Sequence, residues 1–500
     1  MEYVSAMTSP IPHAASLAPA SIPVRNRAAG AASKKFNRGW HASVTALRAL
    51  FLIIAATMLT ASPVQAQQIL RDAETEALLN EMAEPLIRAA GLRPADVRII
   101  LIGDRSINAF VAGGQIVYVH SGLIEAADNA NQVQGVIAHE LGHIAGGHVV
   151  RTDGAEKATT IALVSMLLGA MAMAAGGGEA GAGIMAAGQQ AALGSYLAYS
   201  RTQEATADAA GARYLSAAGI SGRGSVAFFE TLLNQEMRYN VPQDDDQAYG
   251  RTHPMSGDRI RFLRDTYSAD PAWDTPTPPE LEARFQRVKA KLGGFINDPQ
   301  YTLRQFPESD RSASARYARA YAWHKSAHPE RAIAEAEALV AMAPDDPYFL
   351  ELQGQVLLES GRPAEALPPL RRAFERSNAQ PLIAALFGHA LIATEDDANY
   401  AEAESVLRAA VNRDNDNPFA WYQLGIVYAH QGDEARAALA TAERYSMTGE
   451  AGRALMSAEA AMGGLRENTP DWLRAQDIAL VARARLEEER RRARRNPERS

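Results

Sequence analysis

The segment His139-Glu140-Leu141-Gly142-His143 carries three side chains suited to metal chemistry. Apolar residues at helical spacing surround it and predict a helix from about Asn131 through Val149. Residues four apart share one face of a helix, so two imidazoles would converge on one ion with Glu140 beside it. One Zn²⁺ per chain is expected, because zinc accepts nitrogen and carboxylate ligands. A motif this short also arises by chance in helices, so other residues must decide.

A zinc site of this kind needs a third protein ligand, and two parts of the chain offer candidates. The run after His143 includes His148, but Val149 stands where a third histidine would ligate. Farther along, Glu204 and Asp208 lie four residues apart and are expected on one helical face. Glu204 can complete a site of two histidines and one glutamate, while Asp208 accepts a hydrogen bond from the outer nitrogen of a ligating imidazole. The alternative for this pair is a solvated acidic face.

Three separated motifs together resemble metallopeptidase family 48. They are HELGH with its following Gly-His, the stretch SRTQEATAD at 200–208, and Thr-His-Pro at 252–254 upstream of Arg259. With a tetratricopeptide tail, the arrangement is similar to periplasmic members of the family over nearly the whole chain after residue 66. The resemblance implies a peptidase with the zinc ligands His139, His143 and Glu204, the catalytic base Glu140, and the orienting residue Asp208.

The glycine pair Gly146-Gly147 departs from the family pattern, in which a larger and often basic residue is expected before the histidine. This departure concerns His148, to which no role is assigned, and leaves the ligand set intact.

His253 precedes a proline, which holds the residue before it in an extended conformation. It is therefore expected on a loop, where two catalytic functions are open. It could stabilise the tetrahedral oxyanion, or coordinate zinc in place of water and hold the enzyme latent. The alternative is a structural loop histidine.

Two segments rich in β-branched residues, 97–102 and 115–120, are predicted to be strands of a hairpin or meander. The residues between them resemble the family segment that precedes its edge strand. An extended substrate is therefore expected to bind along Gln115, Ile116, Val117, Tyr118 and Val119, since main-chain pairing tolerates many sequences. The alternative is that this segment is a paired interior strand.

The second half of the chain repeats. Trp421, Leu424, Gly425 and Tyr428 fit the tetratricopeptide pattern. An alanine slot recurs at spacings of 34, 37 and 34 residues, and a three-residue insertion near 395–397 explains the longer spacing; the slot is filled by Ala332, Ala366, Ala403 and Ala437. Four stacked helix pairs are expected at about 311–450, with an unrelated helical bundle as the alternative.

The predicted fold class is mainly α with a small β-sheet (α+β), a zincin-like metalloprotease domain followed by an α-solenoid. The predicted bounds are a signal peptide with an extended n-region at 1–66, the protease at 67–267, a linker and connecting helix at 268–310, the repeats at 311–450, and C-terminal helices with a basic tail at 451–500. An uncleaved membrane anchor is the alternative for the first segment.

An apolar run at 159–175 has no polar face. At 1.5 Å per residue it is shorter than a bilayer core of about 30 Å, so a buried core helix or an active-site lid is expected. Shallow insertion into a membrane is the alternative.

Composition excludes several classes. The 500 residues contain no cysteine, which removes disulfides, thiol catalysis and cysteine-ligated metals. The net charge of −8 argues against nucleic-acid binding. The tail 483–500 is an exception with eight Arg against four Glu; it is a frayed helix end or a contact for an anionic surface or partner.

These features together predict a periplasmic zinc endopeptidase secreted across the inner membrane. By resemblance, its substrates are unfolded or stalled polypeptides, in particular misassembled outer-membrane proteins, and its repeats recruit substrates or the outer-membrane assembly machinery. Two further alternatives for its location are association with the outer membrane and a peripheral contact with a membrane. Two other classes remain as alternatives, a non-catalytic chaperone or scaffold that acts through its repeats, and a membrane-embedded prenyl-type protease.

Overall fold

The structure is a computed structural model that describes residues 68–148, 153–174, 178–238, 253 and 256–495. The predicted signal peptide lies outside these residues. Residues from Gln68 onward form one compact unit. The predicted fold class is confirmed, since helices and one small sheet make up this unit.

The sheet has four strands in the order β1-β2-β4-β3. They are β1 Gln68–Leu70, β2 Arg98–Gly103, β3 Ala109–Ala112 and β4 Ile116–His120. Strands β2 and β4 run parallel, with Ile99 opposite Val117. The other two pairs are antiparallel.

Two strand predictions were wrong. The segments 97–102 and 115–120 do not form a hairpin with each other, because β3 precedes β4 and pairs with it through a turn at Gly113 and Gly114, whose φ angles are 64° and 99°. The expected edge strand Gln115–Val119 is therefore interior, with β2 on one side and β3 on the other. Among the described strands, β3 and β1 form the edges.

Eight α-helices accompany this sheet in the described residues up to Ile296. They are α1 Ala73–Ala89, α2 Ser121–Ala126, α3 Ala130–Gly146, α4 Asp153–Ala174, α5 Gly178–Ala217, α6 Arg223–Arg238, α7 Gly257–Ser268 and α8 Pro279–Ile296. The largest apolar core lies between the sheet and these helices, with Leu86, Leu101, Ile137 and Phe228 all buried. Phe285 of α8 is 1% exposed in the same core, so a helix within the predicted linker segment 268–310 packs as part of it.

Helix α4 is not a buried core helix, contrary to one expectation for the run 159–175. It packs against α5. Apolar side chains elsewhere on its surface are exposed to solvent, Leu163 by 59% and Leu167 by 64%. An all-apolar composition was interpreted as burial, but only one face of α4 has a partner among the described residues. None of the described helices is long and apolar enough to cross a membrane.

The second half is a row of antiparallel helix pairs that follow a short helix, α9 Pro299–Gln305. The pairs are α10 Ala313–Lys325 with α11 Pro329–Met342, α12 Pro347–Glu359 with α13 Pro363–Arg376, α14 Pro381–Ala393 with α15 Tyr400–Arg413, α16 Pro418–His430 with α17 Glu434–Met447, and α18 Ala451–Gly464 with α19 Pro470–Arg495. The slot residues Ala332, Ala366 and Ala403 are fully buried. A 3₁₀ turn at Asp397–Asn399 holds the predicted insertion.

Charged side chains connect the repeat region to α1 and α8. Glu74 is 3% exposed and pairs with Arg287 and Lys291 of α8. The Tyr317 hydroxyl of α10 donates to Glu74 at 2.9 Å. Arg287 also reaches Asp346 at 2.8 Å, just before α12. These contacts attach the repeats directly to the core that carries the candidate site.

Candidate metal centre

Helices α3 and α5 lie unusually close where they cross. A Cβ atom on Gly142 would come within 2.7 Å of the Ala207 carbonyl oxygen, and one on Gly211 would lie 3.2 Å from the Ala138 carbonyl. Because neither glycine has a side chain, the backbones of the two helices can pack in direct contact. This contact brings the histidines of α3 against the acidic residues of α5.

Four side chains converge at this crossing. His139, His143, Glu204 and His253 each offer one ligand atom, and these atoms lie within 4.8 Å of one another. The Nε2 atoms of the two α3 histidines are 3.1 Å apart. Glu204 contacts them with different oxygens, Oε2 at 3.4 Å from His139 and Oε1 at 3.4 Å from His143. All four residues are buried. Imidazole nitrogens and a carboxylate are donors that zinc prefers, so the set fits a zinc ion.

Asp208 contacts the far side of one histidine. Its Oδ1 lies 2.9 Å from Nδ1 of His139, which fixes the imidazole with Nε2 directed into the cluster. Arg259 holds this carboxylate in turn through Nε and Nη2, at 2.8 and 2.9 Å. Arg259 also reaches Glu204 at 3.1 Å.

Glu140 lies beside the cluster and is fully buried. Both of its carboxylate oxygens lack a hydrogen-bond partner among the described residues, and Oε1 is 3.6 Å from Nε2 of His253. Burial raises the pKa of this carboxyl. A buried carboxyl group without a hydrogen-bond partner is costly to folding, and such groups occur often at functional sites.

The pKa values of the two α3 histidines are shifted in opposite directions. Burial lowers the pKa of His143 to about 4. Burial also acts to lower the pKa of His139, but hydrogen bonds to Asp208 and Glu204 outweigh it and raise the value to about 10. Despite burial, hydrogen bonds from three imidazoles lower the pKa of Glu204. Glu204 is therefore held as a carboxylate.

The structure brings together six of the predicted site residues, namely His139, Glu140, His143, Glu204, Asp208 and His253. The remaining predicted residues, Gln115–Val119, are not among the cluster and lie in and beside the interior strand β4. No role was predicted from the sequence for Arg259 or His148. In the structure Arg259 contacts Asp208, and His148 contacts His143. The available signal for Arg259 was the Ser256 cap, which starts α7 and accepts a hydrogen bond from the Arg259 amide.

At the crossing of α3 and α5, two histidines and a glutamate form a cluster, and the buried Glu140 lies beside it. This arrangement defines an HExxH metallopeptidase domain. Residues 71–267 match Peptidase family M48, so this part of the chain is similar to that family of metalloproteases.

Three curated proteins illustrate the similarity. The Beta-barrel assembly-enhancing protease of Escherichia coli is 23% identical over 406 residues, 78% of this chain and 80% of that protein. A relative from Vibrio cholerae is 25% identical over 291 residues, 57% of this chain and 59% of its own length. The Metalloprotease LoiP of Escherichia coli is 33% identical over 181 residues, 36% of this chain and 65% of that protein.

Proposed function

We propose that this chain is a zinc-dependent endopeptidase that hydrolyses peptide bonds of unfolded or stalled polypeptides. The observation that carries the proposal is the buried cluster of His139, His143 and Glu204, with the carboxyl group of Glu140 beside it and free of hydrogen bonds among the described residues. When bound by these three residues, zinc supplies a Lewis acid that polarises a carbonyl group and acidifies water.

Glu140 is the group placed to move protons. Its carboxylate accepts a proton from the attacking water and then donates it to the nitrogen of the leaving amine. The raised pKa that burial gives this carboxyl makes it a stronger base than an exposed glutamate. Asp208 and Arg259 keep His139 in the tautomer that directs Nε2 inward.

We propose that His253 holds the resting enzyme latent. Its Nδ1 lies 3.3 Å from Nε2 of His139 and 3.1 Å from each Glu204 oxygen, so it is among the ligand atoms. A fourth protein ligand would occupy the position that a catalytic zinc site keeps open. The second function, stabilisation of the oxyanion, requires His253 to leave the ligand cluster.

Strand β3 replaces the earlier candidate for substrate binding. It lies at an edge of the described sheet and packs against α3, the helix that carries the metal motif. An extended polypeptide can add to such an edge through main-chain hydrogen bonds, whatever its sequence. The substrate would then pass the metal centre along Ala109–Ala112.

The cellular role is proposed from the relatives. Because relatives are named beta-barrel assembly-enhancing protease, we propose that this chain acts on misassembled outer-membrane proteins in the periplasm. The repeats would recruit such substrates or the assembly machinery, since stacked helix pairs form extended binding surfaces. The open side of α4 would provide a peripheral contact with a membrane.

The test is proteolysis of casein by the purified protein, with and without a chelator. We expect cleavage that the chelator abolishes and added zinc restores. The competing function is a non-catalytic chaperone or scaffold, and it predicts suppressed aggregation of a denatured client with no cleavage under either condition.

A further inference from the structure

His148 contacts the metal ligand His143 on its outer side. The Nδ1 atoms of the two rings are 2.9 Å apart, and the rings meet nearly edge to face. The other nitrogen of His148, Nε2, lies 3.2 Å from Oγ1 of Thr206 on α5. His148 therefore bridges the helix that carries two of the metal-binding residues and the helix that carries the third.

The glycine pair before His148 makes this contact possible. Gly147 ends α3 with a φ of 66°, a left-handed conformation that turns the chain back on the helix. The His148 amide then donates to the His143 carbonyl at 3.0 Å. A Cβ atom on Gly146 would lie only 2.6 Å from Nε2 of the folded-back ring. The departure from the family pattern is thus the local feature that places His148 against His143.

The proton positions along this chain of contacts are mutually consistent. If His143 binds a metal through Nε2, its Nδ1 carries the hydrogen and donates to Nδ1 of His148. His148 must then carry its own hydrogen on Nε2 and donate to Thr206. The Thr206 hydroxyl donates to the carbonyls of Thr202 and Gln203, at 3.0 and 2.8 Å. Every donor has an acceptor in this arrangement.

We propose that His148 is a positioning residue that fixes the orientation and tautomer of the metal ligand His143. The inference rests on the proposed zinc-dependent function and deepens it. The two histidine ligands are then supported differently, His139 by the carboxylate of Asp208 and His143 by the imidazole of His148. Outer hydrogen-bond partners of this kind set how firmly a ligating histidine is held.

The test compares zinc affinity among variants of the purified protein, measured by competition with a chromophoric chelator. His148→Phe keeps a ring and removes both nitrogens, and we expect about 10-fold to 100-fold weaker binding. His148→Asn places an acceptor oxygen at the same bond distance from the backbone as Nδ1, and should recover most of the loss. Thr206→Val should weaken binding less than His148→Phe. His328→Phe, which removes an exposed imidazole from the repeat region, is the control and should bind as wild type does.

Thermal unfolding in excess chelator separates positioning from a structural role. We expect the same midpoint for wild type, His148→Phe and His148→Asn. Wild-type zinc affinity in His148→Phe, or an asparagine variant as weak as the phenylalanine variant, would overturn the positioning role and leave peptidase function intact wherever casein is still cleaved. Failure of the wild-type protein to bind zinc would overturn both.

Discussion

Glu204 and Asp208 occupy successive turns of α5, yet they contact different sides of the same histidine. Glu204 faces the inner nitrogens of both α3 histidines, while Asp208 contacts the outer nitrogen of His139. The four-residue spacing predicted that both acids lie on one face of the helix, but it does not determine which side of a histidine each one contacts. The supports for these groups were less predictable, since Arg259 and His148 reach them through a helix start and a glycine turn whose directions depend on tertiary packing.

Asp208→Asn should weaken zinc binding by about 10-fold to 100-fold, because a neutral amide orients His139 less firmly than a carboxylate does. Competition with a chelator measures the change. Asp258→Asn, whose side chain is 87% exposed at the start of α7, serves as the control. Wild-type affinity in Asp208→Asn would show that the 2.9 Å contact does not hold the ligand.

His253→Ala should raise basal cleavage of casein several-fold, because it removes the side chain proposed to hold the enzyme latent. Zinc content should stay at one per chain, since His139, His143 and Glu204 remain. Initial rates at matched zinc content measure the effect. A lower rate would favour stabilisation of the oxyanion, and an unchanged rate would exclude both functions of His253.

At the scale of elements, the close crossing of α3 and α5 builds the site. The helix spans were predictable, because apolar periodicity and caps such as Asp72 and Asn129 mark them locally. The strand order was not, because β3 has four residues and its pairing depends on a partner outside its own sequence. The packing of α4 could not be predicted either, because an apolar composition on all sides does not show which face contacts another helix.

Gly142→Ala should destabilise the fold by about 1–3 kcal/mol, because its new methyl group would press against the backbone of α5. Zinc affinity should fall as well, since α3 and α5 must separate. Gly194→Ala is the matched control on α5: a Cβ there meets nothing within 4 Å, so alanine should be neutral or stabilise by up to about 1 kcal/mol. Denaturant unfolding distinguishes them, and equal stability of the two variants would contradict the close crossing.

Leu167→Glu on the open side of α4 should reduce co-sedimentation with anionic or neutral liposomes, because it places a charge among exposed apolar side chains. Casein cleavage should be unchanged, since Leu167 is exposed and is not a member of the ligand cluster. Liposome binding equal to that of wild type would remove the proposed membrane contact.

At the scale of the whole molecule, buried charges join the peptidase core to the repeats. Lys291 pairs with Asp72 at 2.5 Å and with Glu74 at 3.5 Å, and it is 4% exposed. Burial acts to raise the pKa of Asp72, but Lys291 outweighs it and lowers the pKa below the ordinary 3.8. The sequence showed the repeats but not this network, because its members are spread from Asp72 to Asp346 and only folding brings them together.

Lys291→Met should destabilise the protein by about 3–5 kcal/mol at neutral pH, because it removes the buried cation that pairs with Asp72 and one of the two cations that pair with Glu74. Since the pKa of Asp72 is depressed, the stabilisation is present above pH 3.8 and is lost as the pH falls through the lowered pKa. The difference between variant and wild type should therefore shrink in acid. Arg284→Met removes an exposed pair on the same helix and should change stability by less than about 1 kcal/mol.

The central claim is tested most directly by casein cleavage with Glu140→Gln, with bound zinc quantified in the same samples. The account predicts one zinc per chain in both proteins and a rate about 100-fold to 10,000-fold lower in the variant, because glutamine fills the same space but cannot accept the proton. Equal cleavage by the variant and the wild type, or no zinc in either, would contradict the account.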